Sequence, residues 1–227
     1  MGDPAAKSGW RRFAFIALGF VLIEVVLVLF FILDTSHKDW LKESGPIEMG
    51  SIAFYLLGVC VFLISFVAGK NRKFDWRGAV FMAILAGREA DFQNRFTTEG
   101  VFRTSYYFRA QVPILERIIT LLVLAFIGYV VISFLVLYLS DLLRGLRKGI
   151  TWVLLGGFAV MMLAFSKVLD ASTWFSAWLG TDWKPSLDLI SIFEETSEFT
   201  GAAALFLSAV LCTLAHTRHS AKQQPPL

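Results

Sequence analysis

The stretch AVFMAILAGREADFQNRF, residues 79–96, decides how many times this chain crosses a membrane. Its apolar beginning, residues 79–86, is less than half of the roughly 20 residues that a helix needs to cross the hydrocarbon core. The remainder carries Arg88, Glu89, Asp91 and Arg95. Ionisable side chains are costly in a membrane unless they face one another or water. This stretch can therefore cross only if its charged half faces a shared polar interior.

The composition of the chain is that of an integral membrane protein. The mean hydropathy is +0.65 and 56% of the 227 residues are hydrophobic, whereas soluble domains have an apolar share of about 45–50%. The apolar residues form long blocks that leave no room for a separate soluble domain, so residues 1–227 are predicted to form a single transmembrane domain. The net charge of +3 comes from short basic clusters beside the apolar blocks, which indicates contact with membrane lipid and not with nucleic acid.

The sequence predicts an all-α protein with a bundle of six transmembrane helices. Their approximate ranges are 13–33, 47–69, 78–96, 113–139, 150–169 and 187–214. Counting 78–96 as a span places the four basic clusters, within 7–12, 70–77, 144–148 and 218–222, on one side of the membrane, as the positive-inside rule requires. We therefore expect cytoplasmic N and C termini, a cytoplasmic tail at 215–227, and residence in the plasma (inner) membrane as a multi-pass protein.

The seven tryptophans agree with this topology, because indole rings prefer membrane interfaces and none of them falls at mid-membrane. Four of them, Trp40, Trp174, Trp178 and Trp183, fall at the outer interface. The segment STWFSAWLGTDW, residues 172–183, is predicted to form a short outer interfacial segment between helices five and six.

The ionisable residues inside the predicted spans share one depth, at mid-membrane or outside it. We expect them to line a common chamber in the outer half of the bilayer. The residues predicted to bind protons or a cation are Glu194, Glu195, Glu198, Glu89, Asp91 and Glu24. Arg88 and Arg95 are the predicted partners for an anion or for these acids. The spacing of Arg88, Asp91, Arg95 and Glu99 predicts one stripe of alternating charge along the third helix, with Glu89 on its flank.

The charges in this predicted chamber do not balance. The acids are Glu24, Glu48, Glu89, Asp91, Glu116, Asp170, Glu194, Glu195 and Glu198, and the bases are Arg88, Arg95, Arg117 and Lys167. The excess of acids requires that some hold protons or that a cation is bound. Oxygen ligands suit a divalent cation, and Glu194, Glu198 and Asp91 are its candidate ligands.

Several kinds of chemistry find no support in the sequence. The histidines, His37, His216 and His219, fall in a loop and the predicted tail, which disfavours a Ser or Cys nucleophile with a histidine base, and also a haem. There is no HExxH zinc motif, and no glycine-rich phosphate loop that indicates a bound nucleotide.

Three functions remain open, and whether the protein is an enzyme is one of the open points. The first is a carrier or channel component that couples protons or a cation to a small solute. The second is a membrane enzyme that uses carboxylates, with or without a divalent metal, on a lipid-linked or periplasmic substrate. The third is a non-catalytic subunit or assembly factor of a membrane complex, in which the charges orient the helices and a membrane-protein partner is bound.

Overall fold

The computed structural model describes residues 4–41, 45–69, 71–95, 97, 104–108, 112–179 and 187–223. These residues form helices and connecting segments, with no strand among them. The long helices are α1 (Pro4–Leu33), α2 (Pro46–Val67), α3 (Arg72–Glu89), α6 (Ile114–Arg147), α7 (Thr151–Leu179) and α8 (Leu187–Gln223). The short helices α4 (Phe92–Arg95) and α5 (Thr104–Phe108) lie between α3 and α6, and a 3-10 helix, Thr35–Leu41, joins α1 to α2.

Helix α8 lies at the centre of the bundle and contacts α1, α2 and α7. Its packing on α7 is antiparallel, because Gly201 lies against Leu163 in the middle of α7 while Ser208, farther along α8, donates to the carbonyl of Trp152 at the start of α7. Helix α1 runs antiparallel to α8 as well, because Phe31 packs beside Ile192 while residues near the start of α1 pack beside Leu211. The small side chains of α8 at these contacts allow the neighbouring helices to approach closely.

Helix α3 packs antiparallel along α2. The ring of Phe62 covers Gly78, Met82 covers Gly58, and the Ser65 hydroxyl donates to Asp75 at 2.8 Å. Alanine or a larger residue at Gly78 would place Cβ 2.9 Å from the Phe62 ring, so the glycine is what permits this approach. An 18-residue helix is about 27 Å long, close to the thickness of the hydrocarbon core.

The third helix is shorter than the predicted span 78–96. It ends at Glu89, Ala90 caps it, and Asp91 has a positive φ of 50° before the short helix α4 begins. The prediction of one continuous charged stripe is therefore wrong, because α3 ends at Glu89 and the helix is interrupted at Asp91 before Arg95. Glu99 lies outside the described residues.

Among the described residues, five helices are long and apolar enough to cross a membrane, and α3 is not one of them. These helices expose many large apolar side chains on their outer faces, as lipid-facing helices do. Four of these five helices extend well past their predicted spans: α1 begins at Pro4, α6 ends at Arg147, α7 ends at Leu179 and α8 ends at Gln223. The predicted interfacial segment is thus partly helix α7, and its remainder, 180–183, lies outside the described residues.

Candidate functional site

The site is built around residues 194–200 of α8, whose sequence is EETSEFT. Residues three and four apart share a face of a helix. Glu194 and Glu198 accordingly lie on one face, toward Lys167 of α7, while Thr196 and Thr200 lie on another, toward Glu24 of α1. One helical segment therefore supplies two separate polar sites.

Glu198 is the hub of the first site. Its Oε1 atom accepts from the Arg88 guanidinium at 3.1 Å, the Lys167 ammonium at 2.7 Å and the Ser166 hydroxyl at 2.8 Å. The Glu198 side chain is only 9% exposed. Two cations and a hydroxyl on one carboxylate oxygen hold Glu198 as an anion and tie together α3, α7 and α8.

Glu89 is the second acid of this site, and one of its oxygens has no hydrogen-bond partner among the described residues. Its Oε2 atom accepts from Arg88 at 3.0 Å, whereas Oε1 is buried with no hydrogen-bond donor among the described residues, and the Glu89 carboxyl lies against that of Glu198. The Tyr55 hydroxyl is likewise buried without a partner, and it lies within electrostatic range of both Glu89 and Glu198. A buried carboxylate oxygen left unpartnered is costly, so this corner of the site favours an additional proton, cation or polar ligand.

The basic residues of this first site keep part of their surface open. The side chains of Arg88 and Lys167 are 39% and 42% exposed, whereas Glu89 and Glu198 behind them are buried. Since both cations contact the same Glu198 oxygen, they lie within about 6 Å of each other. Lys167 also contacts Glu194 at 3.2 Å.

Glu24 forms the second site with three hydroxyl groups of α8. Its Oε1 atom lies 2.8 Å from Thr196 Oγ1 and 3.1 Å from Ser197 Oγ, and its Oε2 atom lies 2.5 Å from Thr200 Oγ1. The three hydroxyl residues are 0–1% exposed. These bonds join the middle of α1 to α8.

The predicted site residues thus divide into three groups. Arg88, Glu89, Glu194 and Glu198 come together through the bonds described above. Glu24 has its own site, and Glu195 is half-buried beside the first one. Asp91 and Arg95 lie beyond the end of α3. In the described part of the chain, no group of three or more His, Cys, Asp or Glu side chains is arranged to hold a metal ion, and the metal set of Glu194, Glu198 and Asp91 stays a prediction.

Sequence reasoning missed several members of these sites. Lys167 was counted among the bases of the predicted chamber but not among its predicted site residues. The side chain of Asp170, one of the predicted acids, lies outside the described ones. Tyr55 and Ser166 carried no signal, because a single polar residue in an apolar span is common. Thr196, Ser197 and Thr200 did carry one, since their spacing places three hydroxyls on one helical face.

A third polar contact lies at the opposite end of the bundle. His216, in the predicted cytoplasmic tail, belongs to helix α8, and its Nδ1 atom lies 3.6 Å from the Cys212 thiol. The Asn71 amide lies 3.4 Å from the other ring nitrogen. Cys212 is only 2% exposed, and a buried thiol in an apolar cluster behaves as a small hydrophobe.

The chain matches no family model, no curated protein and no solved structure with which it was compared. Its class follows from its own features: the five apolar helices indicate a multi-pass α-helical membrane protein, and its bundle contains buried carboxylates.

Proposed function

We propose that the protein is a carrier or channel component in which the carboxylates around Glu198 bind and exchange protons or a cation, coupled to a small solute. The unpartnered Glu89 oxygen carries this proposal. Glu198 has enough donors to stay ionised, whereas Glu89 shares a single guanidinium with it. Glu198 is therefore suited to hold a fixed negative charge, and Glu89 beside it is suited to take up and release a proton or a cation.

The proposal includes a six-crossing topology in the inner membrane, with both termini cytoplasmic. The directions of the helices support this topology. The first residues of α1 and α3 and the last residues of α6 and α8 lie together on one side of the bundle, where the basic clusters also lie. The first site then falls in the outer half of the bilayer. The contacts of α3 with α2 and α6 support a crossing by α3, since packing against other helices shields its polar residues from lipid.

The test is proton flux into liposomes that contain the purified protein and a trapped pH-sensitive dye. An imposed pH or sodium gradient is expected to give a flux above that of empty liposomes. Glu89→Gln keeps the shape of the side chain but removes its exchangeable charge, so this variant is expected to fall to the empty-liposome rate. The matched control is Asp141→Asn, an exposed acid that pairs with Arg144 far from the site.

Wild-type flux in Glu89→Gln, with correct folding shown by a single symmetric gel-filtration peak, would reject the proposal. Absence of flux in every variant, together with copurification of a stoichiometric membrane partner, would instead favour the non-catalytic subunit.

A second candidate, a membrane enzyme, is favoured by the open faces of Arg88 and Lys167. Two neighbouring cations can bind the phosphate or carboxylate of a lipid-linked or periplasmic substrate, with Glu89 as the nearby base. Turnover of such a lipid by purified protein, abolished in Glu89→Gln in the absence of any flux, would select this function.

A further inference from the structure

Glu24 lies in the middle of the apolar helix α1, and its described contacts are all hydroxyl groups. Thr196, Ser197 and Thr200 surround its carboxylate at 2.5–3.1 Å. No Lys, Arg or His side chain of the described residues is bonded to it. This differs from Glu198, which two cations neutralise.

A carboxylate at this depth requires compensation of its charge. Hydroxyl dipoles satisfy its lone pairs, but they supply no net positive charge, and an uncompensated charge in a membrane costs several kcal/mol. A bound proton or a bound cation would supply the positive charge that the hydroxyls do not, and the two are distinguished by measuring sodium binding.

The hydrogen-bond pattern of Thr196 points the same way. Its hydroxyl has one proton and two acceptors, Glu24 Oε1 at 2.8 Å and the Ile192 carbonyl at 2.7 Å. When Thr196 donates to Ile192, its lone pairs face the Glu24 carboxylate. Two facing sets of lone pairs are stabilised by a positive ion that both can contact.

We infer that Glu24, Thr196, Ser197 and Thr200 form a binding site for one small monovalent cation of the sodium class, separate from the site around Glu198. One carboxylate balances one positive charge, whereas divalent cations are usually held by more acidic ligands. Oxygen ligands suit hard cations. The hydroxyl oxygens lie at hydrogen-bond distances of 2.5–3.1 Å from the carboxylate oxygens, so a small ion such as sodium needs less expansion of the site than the larger potassium ion.

This inference deepens the proposed function and rests on it for the role of the bound ion, which would couple α1 to α8 during transport. The binding itself is independent of transport. It is therefore tested on the full-length protein in detergent, with no gradient and no solute.

The experiment measures saturable binding of radioactive sodium by scintillation proximity, with excess unlabelled sodium, potassium or choline as competitor. One ion per chain is expected, displaced by sodium but not by choline, and at least about tenfold less well by potassium. Thr200→Val removes one ligand and is expected to weaken binding about tenfold or more, as loss of a bond to a charged group does. Thr200→Ser keeps the hydroxyl and should retain binding.

Glu24→Gln is expected to abolish sodium binding, while Ser191→Ala, an exposed hydroxyl on the same helix, should leave it unchanged. Saturable binding that survives both Glu24→Gln and Thr200→Val would overturn the site, as would equal displacement by potassium or no saturable binding at all. Loss of flux in Glu89→Gln alongside intact sodium binding would separate the two sites. Sodium binding without any flux would remove the proposed function and leave this site standing.

Discussion

At the scale of single residues, Glu198 is expected to contribute strongly to the stability of the bundle, because it joins α3, α7 and α8. Glu198→Gln removes the charge that Arg88 and Lys167 share, and leaves both cations facing each other across a neutral amide. We expect the free energy of unfolding to fall by about 1–3 kcal/mol. This is less than the loss usually caused by removing one partner of a fully buried ion pair, because both cations are partly exposed. Unfolding by SDS titration, followed by circular dichroism, measures this loss.

The control for that experiment is Asp141→Asn. Asp141 and Arg144 form an ion pair of 2.7 Å, but their side chains are 63% and 67% exposed, and exposed pairs contribute little. A change within about 0.5 kcal/mol is expected there. Equal losses in the two variants would show that Glu198 is not the centre of a buried network.

Asp34, just after α1, allows a prediction about pH. Hydrogen bonds from the Ser36 hydroxyl and backbone N–H hold the pKa of Asp34 below its usual value of 3.8. A carboxyl with a lowered folded pKa stabilises the fold above its usual pKa and loses this contribution as pH falls through the lowered value. Titration of the Asp34 carboxyl ¹³C shift should therefore give a midpoint below 3.8.

Ser36→Ala should move that midpoint up toward the usual value, since it removes the hydroxyl that favours the charged form. Ser191→Ala, on α8, should leave the midpoint where it is. A midpoint unaffected by Ser36→Ala would show that the hydroxyl is not the cause.

Which residues meet could be predicted from the sequence only in part. A common depth for Arg88, Glu89 and Glu198 follows from helical rise, because charges in apolar spans need one another. Which acid pairs with Arg88 did not follow. The choice between Glu89 and Asp91 depends on where α3 ends, because each further residue of helix rotates the direction of the side chain by about 100°.

At the scale of elements, the turn between α6 and α7 depends on one glycine. Gly149 has a positive φ of 66°, and a Cβ atom there would lie 2.8 Å from the Ala6 carbonyl oxygen and 2.5 Å from the Trp10 ring. Gly149→Ala is expected to cost about 1–3 kcal/mol, from both backbone strain and the clash with α1. The melting temperature in detergent measures this effect.

Gly128→Ala is the matched control, because its Cβ would meet no heavy atom within 4 Å. Alanine favours a helix over glycine by up to about 1 kcal/mol, so this variant should be as stable as the wild type or more so. A large loss in Gly128→Ala would contradict the open surroundings of that position.

The end of α3 was not predictable from propensities. No glycine or proline marks residues 88–96, and the chain breaks at Asp91 with a left-handed conformation that Asp adopts more readily than most residues. The apolar helices, by contrast, were predictable because length and hydropathy alone determine them. The helical continuation of α7 to Leu179 was not predicted, because the tryptophans of residues 172–183 are equally typical of an interfacial segment.

At the scale of the whole molecule, the arrangement of the bundle follows from two requirements on its surface. Apolar side chains cover the outside of α1, α2, α6 and α7, while polar groups gather on the face of α8 that other helices cover. Basic residues collect at the end where α3 begins and α6 meets α7. The charge distribution and the helix directions are thus consistent with one orientation in the membrane.

That orientation gives the last prediction, on the number of crossings. Lys73 opens α3 and Lys148 lies in the turn after α6, and both side chains are exposed. Six crossings place them on the same side of the membrane. If α3 did not cross, α6 would carry Lys148 to the opposite side from Lys73.

The experiment uses single cysteines, Lys73→Cys and Lys148→Cys, in a background with Cys60→Ala and Cys212→Ala. Both cysteines should resist a membrane-impermeant maleimide in intact cells and react after lysis. Asp39→Cys, in the exposed 3-10 segment, should react in intact cells and serves as the control. Labelling of Lys148→Cys but not Lys73→Cys in intact cells would mean five crossings. Arg88 and Lys167 would then still meet at Glu198, but the open face of that site could not lie in the outer half of the bilayer as proposed.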